Sequence, residues 1–368
     1  MNNNNLKIKL LQYLRSQLDW LSIENIELVA SGRTSIDLAI KDIKQSKNNM
    51  KKALLPDYLC DSMIVPFEKN DIEYDFYQIN FKNGEFVAEF DDITTNDYDI
   101  ILICDYFIPN KKLYESIAKI KNKNKNASIV HDATHTLFSK DATFSSDDYV
   151  VCSLRKWFVT TDGGLVIKNS PFNINSKNEH NKYIYYKTKS REYKNLYYKK
   201  NTNEIKQKYK QYSDLAEKTL NDDFALYGIS TKTENILLST DFEQEIVKRK
   251  KYYNLIKEKI ESYDIITCMN GTTVDNCLFT LPIIINRNRD EVLNLFYKNL
   301  IRCAILWEPT QKNKGVDESF TSKSICLDIT KNTNEKIDKV LKKIKKWGKK
   351  VENKNLKLSH DKNRQWRR

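Results

Sequence analysis

Short apolar runs that alternate with amphipathic helical segments constrain this chain more than any other feature of its sequence. The runs that are typical of buried strands are Ile26–Ala30, Ala53–Leu55, Tyr74–Tyr77, Ile100–Cys104 and Ser128–Val130. Segments with apolar residues at helical spacing separate them, and two further strands flank Lys156. Strands that alternate with helices predict an α/β fold with a mainly parallel sheet flanked by helices.

The order of these elements predicts a large domain over residues 25–240 and a smaller C-terminal α/β domain over residues 241–350. A helix within residues 1–24 is expected to pack on the small domain, and residues 351–368 form a basic tail. Between residues 170 and 225 the composition changes to Lys, Tyr and Asn, which we interpret as a helical excursion. Aromatic residues among basic ones can also stack on single-stranded nucleic acid, so that alternative stays open here.

Composition limits the classes of function. The formal net charge is +13, but Lys331–Arg368 alone holds 15 Lys and Arg against 4 Asp and Glu, which leaves about +2 elsewhere. This distribution argues against a nucleic-acid surface spread over the fold. No apolar run approaches the roughly 20 residues of a membrane span, and Met1–Asn5 lacks a secretory pattern. The seven cysteines form no CxxC pair, so we expect no zinc site, no disulfide framework and a reducing cytoplasm.

One segment carries the candidate chemistry. A short apolar strand ends before Ser153, Lys156 follows three residues later, and the pair Gly163–Gly164 turns the chain into a second apolar strand. A primary amine held out of bulk water can condense with the aldehyde of pyridoxal phosphate (PLP). A surface lysine is the competing interpretation of Lys156, because lysine is abundant in this chain. The choice depends on whether the other parts of a PLP site are present.

Other parts of such a site follow neighbouring strands. Asp132 ends a strand, and a carboxylate there can face the pyridine nitrogen of PLP and keep it protonated. His135 can donate to the phenolate oxygen of the ring, and Tyr58, which also follows a strand, can cover the face of the ring. Parallel strands end at one edge of a sheet, so we expect these residues beside Lys156. Taken alone, the Asp-x-x-His pair also fits a helix cap with a packed imidazole.

Two segments are candidates for binding the phosphate. The turn Ser31–Ser35 opens a helix, where unpaired backbone N–H groups and the helix dipole attract an anion. Its candidate contacts are Gly32, Arg33 and Thr34. Ser153 is the second candidate, and an ordinary N-cap is the alternative for the turn. An amine, a carboxylate and two phosphate contacts together predict PLP as the cofactor.

In these segments the chain resembles the DegT/DnrJ/EryC1/StrS sugar aminotransferases, which are PLP enzymes of fold type I. Ser31–Ile36 resembles the family's phosphate turn Ser-Gly-Thr-Ala-Ala-Leu, and His131–His135 resembles its Glu-Asp-x-x-Gln. Ser153–Gly164 resembles the segment that contains the lysine. Gly228–Asn235 leads into one long helix expected over Glu234–Lys259, and it resembles Gly-Tyr-Asn-Tyr-Arg-Met-Ser-Glu.

The motifs also depart from the family pattern. Ser153 lies three residues before the lysine, whereas the family serine often lies five residues before it. Arg33 replaces a small residue, and Ser230 replaces an asparagine that in the family reaches the phosphate of the neighbouring subunit's cofactor. Cys60 occupies a position that usually holds an aromatic stacking residue, so the stacking role passes to Tyr58.

The resemblance implies a PLP-dependent aminotransferase that acts as a homodimer, with Lys156 and Asp132 as its catalytic residues. It implies an amino acid donor, glutamate or glutamine, and a nucleotide-linked keto-sugar acceptor on the way to a surface polysaccharide. No metal is expected. Two alternatives remain: a non-catalytic relative that keeps the fold as a binding or regulatory module, and a PLP enzyme of another reaction type.

Overall fold

The computed structural model describes most of the chain. The described residues are 2–17, 24–47, 49–90, 98–142, 144, 148–174, 176–263, 265–269, 276–307, 310, 318–330, 332 and 334–348. The predicted basic tail over residues 351–368 lies outside them. Within the described helices, none is long and apolar enough to cross a membrane.

A large mixed sheet forms the centre of the molecule. Its strands are β1 (Asn25–Val29), β2 (Lys52–Pro56), β3 (Glu73–Lys82), β4 (Glu85–Glu89), β5 (Ile100–Cys104), β6 (Ser128–Asp132), β7 (Tyr149–Cys152), β8 (Gly164–Lys168), β9 (Lys177–Glu179) and β10 (Tyr227–Gly228). Their order across the sheet is β4-β3-β2-β5-β6-β7-β8-β1-β10-β9. The five neighbours from β3 to β7 are parallel, whereas β8 is antiparallel to both β7 and β1.

Helices cover this sheet and connect its strands. They are α1 (Asn2–Gln17), α2 (Gly32–Ser46), α3 (Val65–Lys69), α4 (Lys111–Lys123), α5 (Asn181–Lys200), α6 (Asn203–Asp222), α7 (Thr231–Ser239) and α8 (Phe242–Glu261). Every residue of β5 and of β8 is buried, as expected for central strands covered on both faces. The mainly parallel sheet with flanking helices confirms the predicted α/β fold class.

A smaller antiparallel sheet follows in the C-terminal part. Its strands are β11 (Ile266–Cys268), β12 (Leu281–Ile285), β13 (Cys303–Ala304) and β14 (Ser324–Leu327), in the order β11-β12-β14-β13. The helices of this part are α9 (Arg289–Lys298), α10 (Glu318–Thr321) and α11, over residues 334–348. One continuous apolar cluster includes residues of both sheets, so the small sheet packs directly on the larger part.

The N-terminal helix α1 packs on β1 and α7. Leu6, Leu10 and Leu14 are fully buried in a cluster that includes apolar residues of β1. Tyr13 also contacts Phe242 at the start of α8, with 5.5 Å between the ring centroids. The sequence predicts this helix on the small domain, whereas its described contacts are with β1 and α7, which lie within residues 25–240, and with Phe242.

Two pairs of helices follow β8 in the described part of the chain, and the second pair departs from the sequence prediction. The Lys/Tyr-rich segment forms an antiparallel pair of 20-residue helices, α5 and α6, joined at Asn201, which is left-handed and ends α5. The single helix predicted over Glu234–Lys259 is wrong, because the chain breaks between α7 and α8. Thr240 is extended, and the Asp241 side chain accepts from the Gln244 N–H to begin a new helix.

Candidate active site

The residues predicted for the site converge on one edge of the large sheet. β1 and β7 are both antiparallel to β8, and β6 is parallel to β7, so β1, β6 and β7 run in the same direction. Their C-terminal ends therefore share one edge, where open α/β sheets bind ligands. Asp132 ends β6, Ser153 follows β7 and Ser31 lies two residues after β1.

The N-terminus of α2 and Ser153 form a cradle for an anion. The Ser31 side chain accepts from the Thr34 N–H at 3.1 Å, which caps α2. A Cβ added at Gly32 would stand 3.0 Å from the Ser153 Cβ, so the turn and the serine lie in direct contact. The Ser153 hydroxyl is buried and has no hydrogen-bond partner among the residues that the structure describes. An anion at this helix N-terminus would give it one.

The Gly163–Gly164 pair brings β8 against the same turn. Gly163 has a φ of +123°, a conformation that side chains disfavour, and its N–H donates to the Ala30 carbonyl oxygen at 2.8 Å. A Cβ at Gly164 would fall well inside 3.0 Å of the Ser31 carbonyl oxygen. The two glycines are therefore required by the close approach of β8 to the cradle.

Lys156 ends the short 3₁₀ helix Leu154–Lys156 that follows β7. Its Nζ lies 5.3 Å from the centroid of the Phe279 ring, which comes from the segment before β12. Burial lowers the pKa of Lys156, and the neighbouring Arg155 adds to that decrease, while Cys60 and Asp132 oppose it. An amine with a lowered pKa is more often in its free, nucleophilic form.

Asp132 is the carboxylate that neighbours this amine. Burial raises its pKa, while hydrogen bonding from Thr134 and the positive charges of His131 and Lys156 favour the ionised form. The Thr134 N–H donates to Oδ1 at 2.8 Å. The segments that carry the two predicted catalytic residues are bonded to each other, because the Ser153 N–H donates to the Thr134 hydroxyl at 3.0 Å and the Trp157 Nε1–H donates to the Thr134 carbonyl oxygen at 2.7 Å. The charges of Asp132 and Lys156 also shift each other's pKa.

His135 is a neutral imidazole held among aromatic rings. Its ring stacks on Phe107 and Phe279, with centroid distances of 5.0 and 4.7 Å. The Phe107 N–H donates to Nδ1 at 3.1 Å, which leaves the imidazole hydrogen on Nε2. Burial lowers the pKa of His135 well below its usual value, and the Lys156 charge lowers it further. His135 is therefore a hydrogen-bond donor through Nε2.

Tyr58 lies in the core instead of on an open face of the site. Its side chain is fully buried, it stacks on Phe86 and Tyr106, and its hydroxyl donates to the Leu306 carbonyl oxygen. Cys60 is half-buried, and its Sγ lies 3.2 Å from the Ser62 hydroxyl. The predicted stacking role of Tyr58 stays a prediction, because its ring is packed among other aromatic rings.

The remaining predicted contacts have partners within the chain. The Arg33 guanidinium bonds Glu217 of α6 at 2.8 Å and also Asn221. The Thr34 hydroxyl lies 2.9 Å from the Ser31 hydroxyl. These contacts tie the anion cradle to the helix α6 and leave its backbone N–H groups and Ser153 as the groups facing a ligand.

Ser230 caps the helix α7. Its hydroxyl donates to Asp162 at 2.7 Å and accepts from the Thr233 N–H at 3.2 Å, and its side chain is fully buried. Burial raises the pKa of Asp162, which these hydrogen bonds oppose. Ser230 therefore supports the loop before β8 through Asp162. Its contact with the cofactor of a neighbouring subunit stays a prediction.

A cavity of about 520 Å³ opens beside Lys156. The α5–α6 pair forms one wall, and the small sheet forms another. Its cationic lining is Arg155, Lys156, Lys187, Arg191, Lys194, Lys248, Arg249 and Arg302. Lys187, Arg191 and Lys194 belong to the Lys/Tyr-rich segment that the sequence predicts as a helical excursion, and as a segment it is a candidate for contacts with the acceptor's phosphates. The spacing of Lys187, Arg191 and Lys194 along one helix face was the available signal. Among the described residues, no cluster of three or more His, Cys, Asp or Glu side chains is arranged to hold a metal.

Comparisons with known proteins place the fold. No family model matches the chain, and no curated protein matches it. A solved DegT DnrJ EryC1 StrS aminotransferase from Brucella abortus is similar at 14% identity and a TM-score of 0.63, covering 94% of this chain and 90% of that one. A putative sugar aminotransferase from Streptococcus pneumoniae, in its PLP form, is similar at 13% identity and 0.64, with coverage of 95% and 92%.

A NifS-like protein shares the fold as well, at 14% identity and a TM-score of 0.59, covering 94% of this chain and 87% of that one. The chain therefore has the fold of the PLP-dependent transferases of fold type I. Within that fold, the solved sugar aminotransferases agree with the family that the motifs resemble. At 10–14% identity this likeness concerns the architecture of the chain.

Proposed function

We propose that this protein is a PLP-dependent aminotransferase that transfers an amino group from an amino acid to a keto-sugar. The observation that carries the proposal is the meeting of Lys156, Asp132 and the Ser153 cradle at one edge of the sheet. Three features support it independently: the Ser153 hydroxyl, which has no hydrogen-bond partner among the described residues, the Lys156 amine, whose pKa is lowered, and the Asp132 carboxylate. One molecule with a phosphate, an aldehyde and a basic ring nitrogen would give each of these groups a partner.

The residues present fit that cofactor. The amine of Lys156 would hold its aldehyde carbon, and the carboxylate of Asp132 would face its pyridine nitrogen. Ser153 and the turn that begins at Gly32 would hold its phosphate, and the Nε2–H of His135 would donate to its phenolate oxygen. When bound, PLP supplies an electron sink for negative charge that develops at the donor's Cα.

The residues of the chain then have defined tasks. Lys156, with its lowered pKa, is the base that takes the proton from the donor's Cα. In the second half-reaction it gives a proton to the carbon of the acceptor that receives the amino group. Asp132 would face the ring nitrogen and hold the proton there; the Thr134 N–H and the charge of Lys156 favour its ionised form against burial, which raises its pKa. The rings of Phe107 and Phe279 hold His135 in one orientation.

The finer parts of the proposal come from the resemblance. The donor is glutamate or glutamine, the acceptor is linked to a nucleotide, and the product is used to make a surface polysaccharide. The enzyme itself acts in the cytoplasm. The active unit is a homodimer. The names of the solved sugar aminotransferases support the sugar acceptor, and the cationic cavity beside Lys156 supports an acceptor with phosphates.

Spectroscopy tests the cofactor and the lysine together. We expect the purified protein to show the absorbance of lysine-bound PLP, and borohydride to fix the cofactor on the peptide that contains Lys156. Lys156→Ala should lose both signals. Lys119→Ala, at an exposed position of α4, is the matched control and should keep them. Covalent fixation that persists in Lys156→Ala would remove this residue from its proposed role.

The reaction type needs a second measurement. Glutamate or glutamine should convert the bound cofactor into its pyridoxamine form with release of the keto acid. A nucleotide-linked keto-sugar should then restore the aldehyde form. A protein that binds PLP but completes neither half-reaction with any donor would support one of the alternatives, a non-catalytic relative or another PLP chemistry.

A further inference from the structure

We propose that the cavity beside Lys156 contains an anion subsite, formed by Arg191 and Lys194 of α5 and by Arg302 before β13, which binds the diphosphate group of the acceptor. The inference rests on the proposed function, which supplies an acceptor linked to a nucleotide. All three residues lie outside the motifs that resemble the sugar aminotransferases. The subsite would therefore be formed by α5 and the small sheet, and not by the motifs that would bind the cofactor.

The charge of the cavity lining is strongly unbalanced. Eight cationic side chains line the described part of the cavity, against two carboxylates, Glu245 and Asp328. Lys156 is the residue proposed to hold the cofactor, so seven cations remain for other tasks. A concave site with this surplus attracts anionic ligands and holds them more strongly than an exposed surface would.

Helical periodicity places the α5 residues on one wall. Lys187, Arg191, Lys194 and Tyr198 follow one another at spacings of three or four residues, so they share a face of the helix. All four line the cavity. One turn earlier, the fully buried Tyr183 accepts from the Arg155 guanidinium at 2.8 Å, which fastens this face of α5 beside Lys156.

The three residues of the subsite have neutral partners in the described part of the chain. Arg191 donates to the Thr160 carbonyl oxygen. The Lys194 ammonium lies 5.4 Å from the centroid of the Tyr209 ring. Arg302 donates to the Asn195 side chain at 3.1 Å and lies over the Tyr198 ring. These contacts orient the three cations and leave their charges uncompensated.

The neighbouring cations provide a contrast. Lys187 and Arg33 both bond Glu217, at 2.9 and 2.8 Å, so a carboxylate already balances that end of the wall. Among the described residues, no carboxylate lies within ion-pair distance of Arg191, Lys194 or Arg302. Charge compensation at this end of the cavity is thus left to a ligand.

Crowding of like charges supports the same conclusion. Burial lowers the pKa of Arg191, and the charges of Arg155 and Arg302 lower it further. Burial and the charge of Arg155 lower the pKa of Lys187 to about 8, with a smaller contribution from Lys194. The cations are therefore close together and partly desolvated, and this arrangement is unfavourable until an anion enters.

The number and type of donors favour a diphosphate over a single carboxylate. Two guanidinium groups present planar forks that match phosphate oxygens, and an ammonium adds a third positive charge. A lone carboxylate would use one of these groups and leave the others unbalanced. The two arginines come from different elements, so a ligand between them also bridges α5 and the small sheet.

Calorimetry with the full-length, PLP-bound protein tests the subsite, with inorganic pyrophosphate and glutarate as the two probes. Bound PLP keeps the Ser153 cradle occupied, so pyrophosphate cannot bind there, and the three variants separate binding in the cavity from binding at other basic segments of the chain. We expect Arg191→Gln, Lys194→Gln and Arg302→Gln each to weaken pyrophosphate binding about tenfold or more. Lys182→Gln, at an exposed position of the same helix, should leave the affinity unchanged.

The outcomes separate this inference from the proposed function. Unchanged pyrophosphate affinity in all three variants would overturn the subsite, and so would equal losses for glutarate, which would assign the cations to a dicarboxylate. Cofactor absorbance measured on the same samples reports on the proposed function independently. Pyrophosphate should also raise the melting temperature of the wild-type protein and raise it less in each variant, which checks the result without relying on one variant's yield.

Discussion

The contact between β8 and the turn after β1 allows a direct test of how the sheet builds the site. A Cβ at Gly164 would fall well inside 3.0 Å of both the Ser31 carbonyl oxygen and the Ser35 hydroxyl oxygen, where ordinary contact begins at 3.4 Å. Gly164→Ala therefore requires β8 and the anion cradle to separate by roughly 1 Å. The obstacle is a backbone carbonyl, which cannot move without displacing the turn itself.

The expected cost follows from two opposing effects. Overpacking a well-packed region costs about 1–3 kcal/mol, and contact with backbone at such short range puts Gly164→Ala at the upper end. Replacing glycine by alanine inside a strand recovers about 0.5–1 kcal/mol of chain entropy. We therefore expect a net loss of about 2 kcal/mol in the free energy of unfolding, together with weaker PLP retention, because the turn that would hold the phosphate is displaced.

Gly348 provides a matched control. A Cβ there would also fall well inside 3.0 Å of a neighbour, but that neighbour is the terminal methyl group of the half-buried Ile265 side chain, which can turn away. Alanine is also the better helix former at this position of α11. Gly348→Ala should change the free energy of unfolding by less than about 1 kcal/mol and leave PLP retention intact.

Urea unfolding followed by circular dichroism measures both variants. The midpoint should fall for Gly164→Ala with an unchanged slope, and it should stay near the wild-type value for Gly348→Ala. PLP retention is measured from the absorbance of the same samples. A Gly164→Ala protein as stable as the wild type, or equal losses in the two variants, would refute the claim that backbone contact at Gly164 shapes the cradle.

Three further predictions concern single side chains. Ser153→Ala should weaken PLP binding about tenfold, measured by titrating the cofactor-free protein. The urea midpoint should stay nearly unchanged, because the hydroxyl has no hydrogen-bond partner among the described residues; a large fall in the midpoint would show that the hydroxyl has a structural role instead. Asp132→Asn should keep PLP but slow the glutamate half-reaction about 100-fold or more in stopped-flow absorbance, and a wild-type rate would contradict its role. Burial raises the pKa of Asp57 from 3.8 to about 6, so the folded protein binds a proton on this carboxyl group more tightly than the unfolded chain does. The free energy of unfolding of the wild type, relative to Asp57→Asn, should therefore fall as the pH rises from about 4 to 6. A difference in urea midpoint that stays constant over this range would refute it.

Much of the large sheet could be predicted from local sequence. The run Ile100–Cys104 coincides with β5, because five consecutive apolar residues are stable only where both faces of a strand are covered. The Asp132 and Lys156 segments were placed on one edge because parallel strands end together. The local sequence does not reveal the break between α7 and α8, since Leu238, Phe242 and Ile246 continue the helical spacing across Asp241.

Side-chain partners distant in sequence decided what local spacing could not. Tyr58 and Cys60 both follow β2, and only the packing of the aromatic cluster determined that Tyr58 is fully buried while Cys60 is half-buried. Arg33 lies in the predicted phosphate turn, but Glu217, 184 residues away in the sequence, accepts a hydrogen bond from its guanidinium. The composition of the turn shows which groups it could bind, and only the tertiary structure shows which of them lies beside it.

In the cavity, the sequence of α5 and the tertiary structure each determine a different part of the site. The spacing along α5 already determined that Lys187, Arg191 and Lys194 share one face. Whether that face meets solvent, another helix or an active site depended on the small sheet, which brings Arg302 to Asn195 across 107 residues of sequence. Periodicity is set by the backbone of one helix, whereas a binding site is set by which surfaces the whole chain buries against each other.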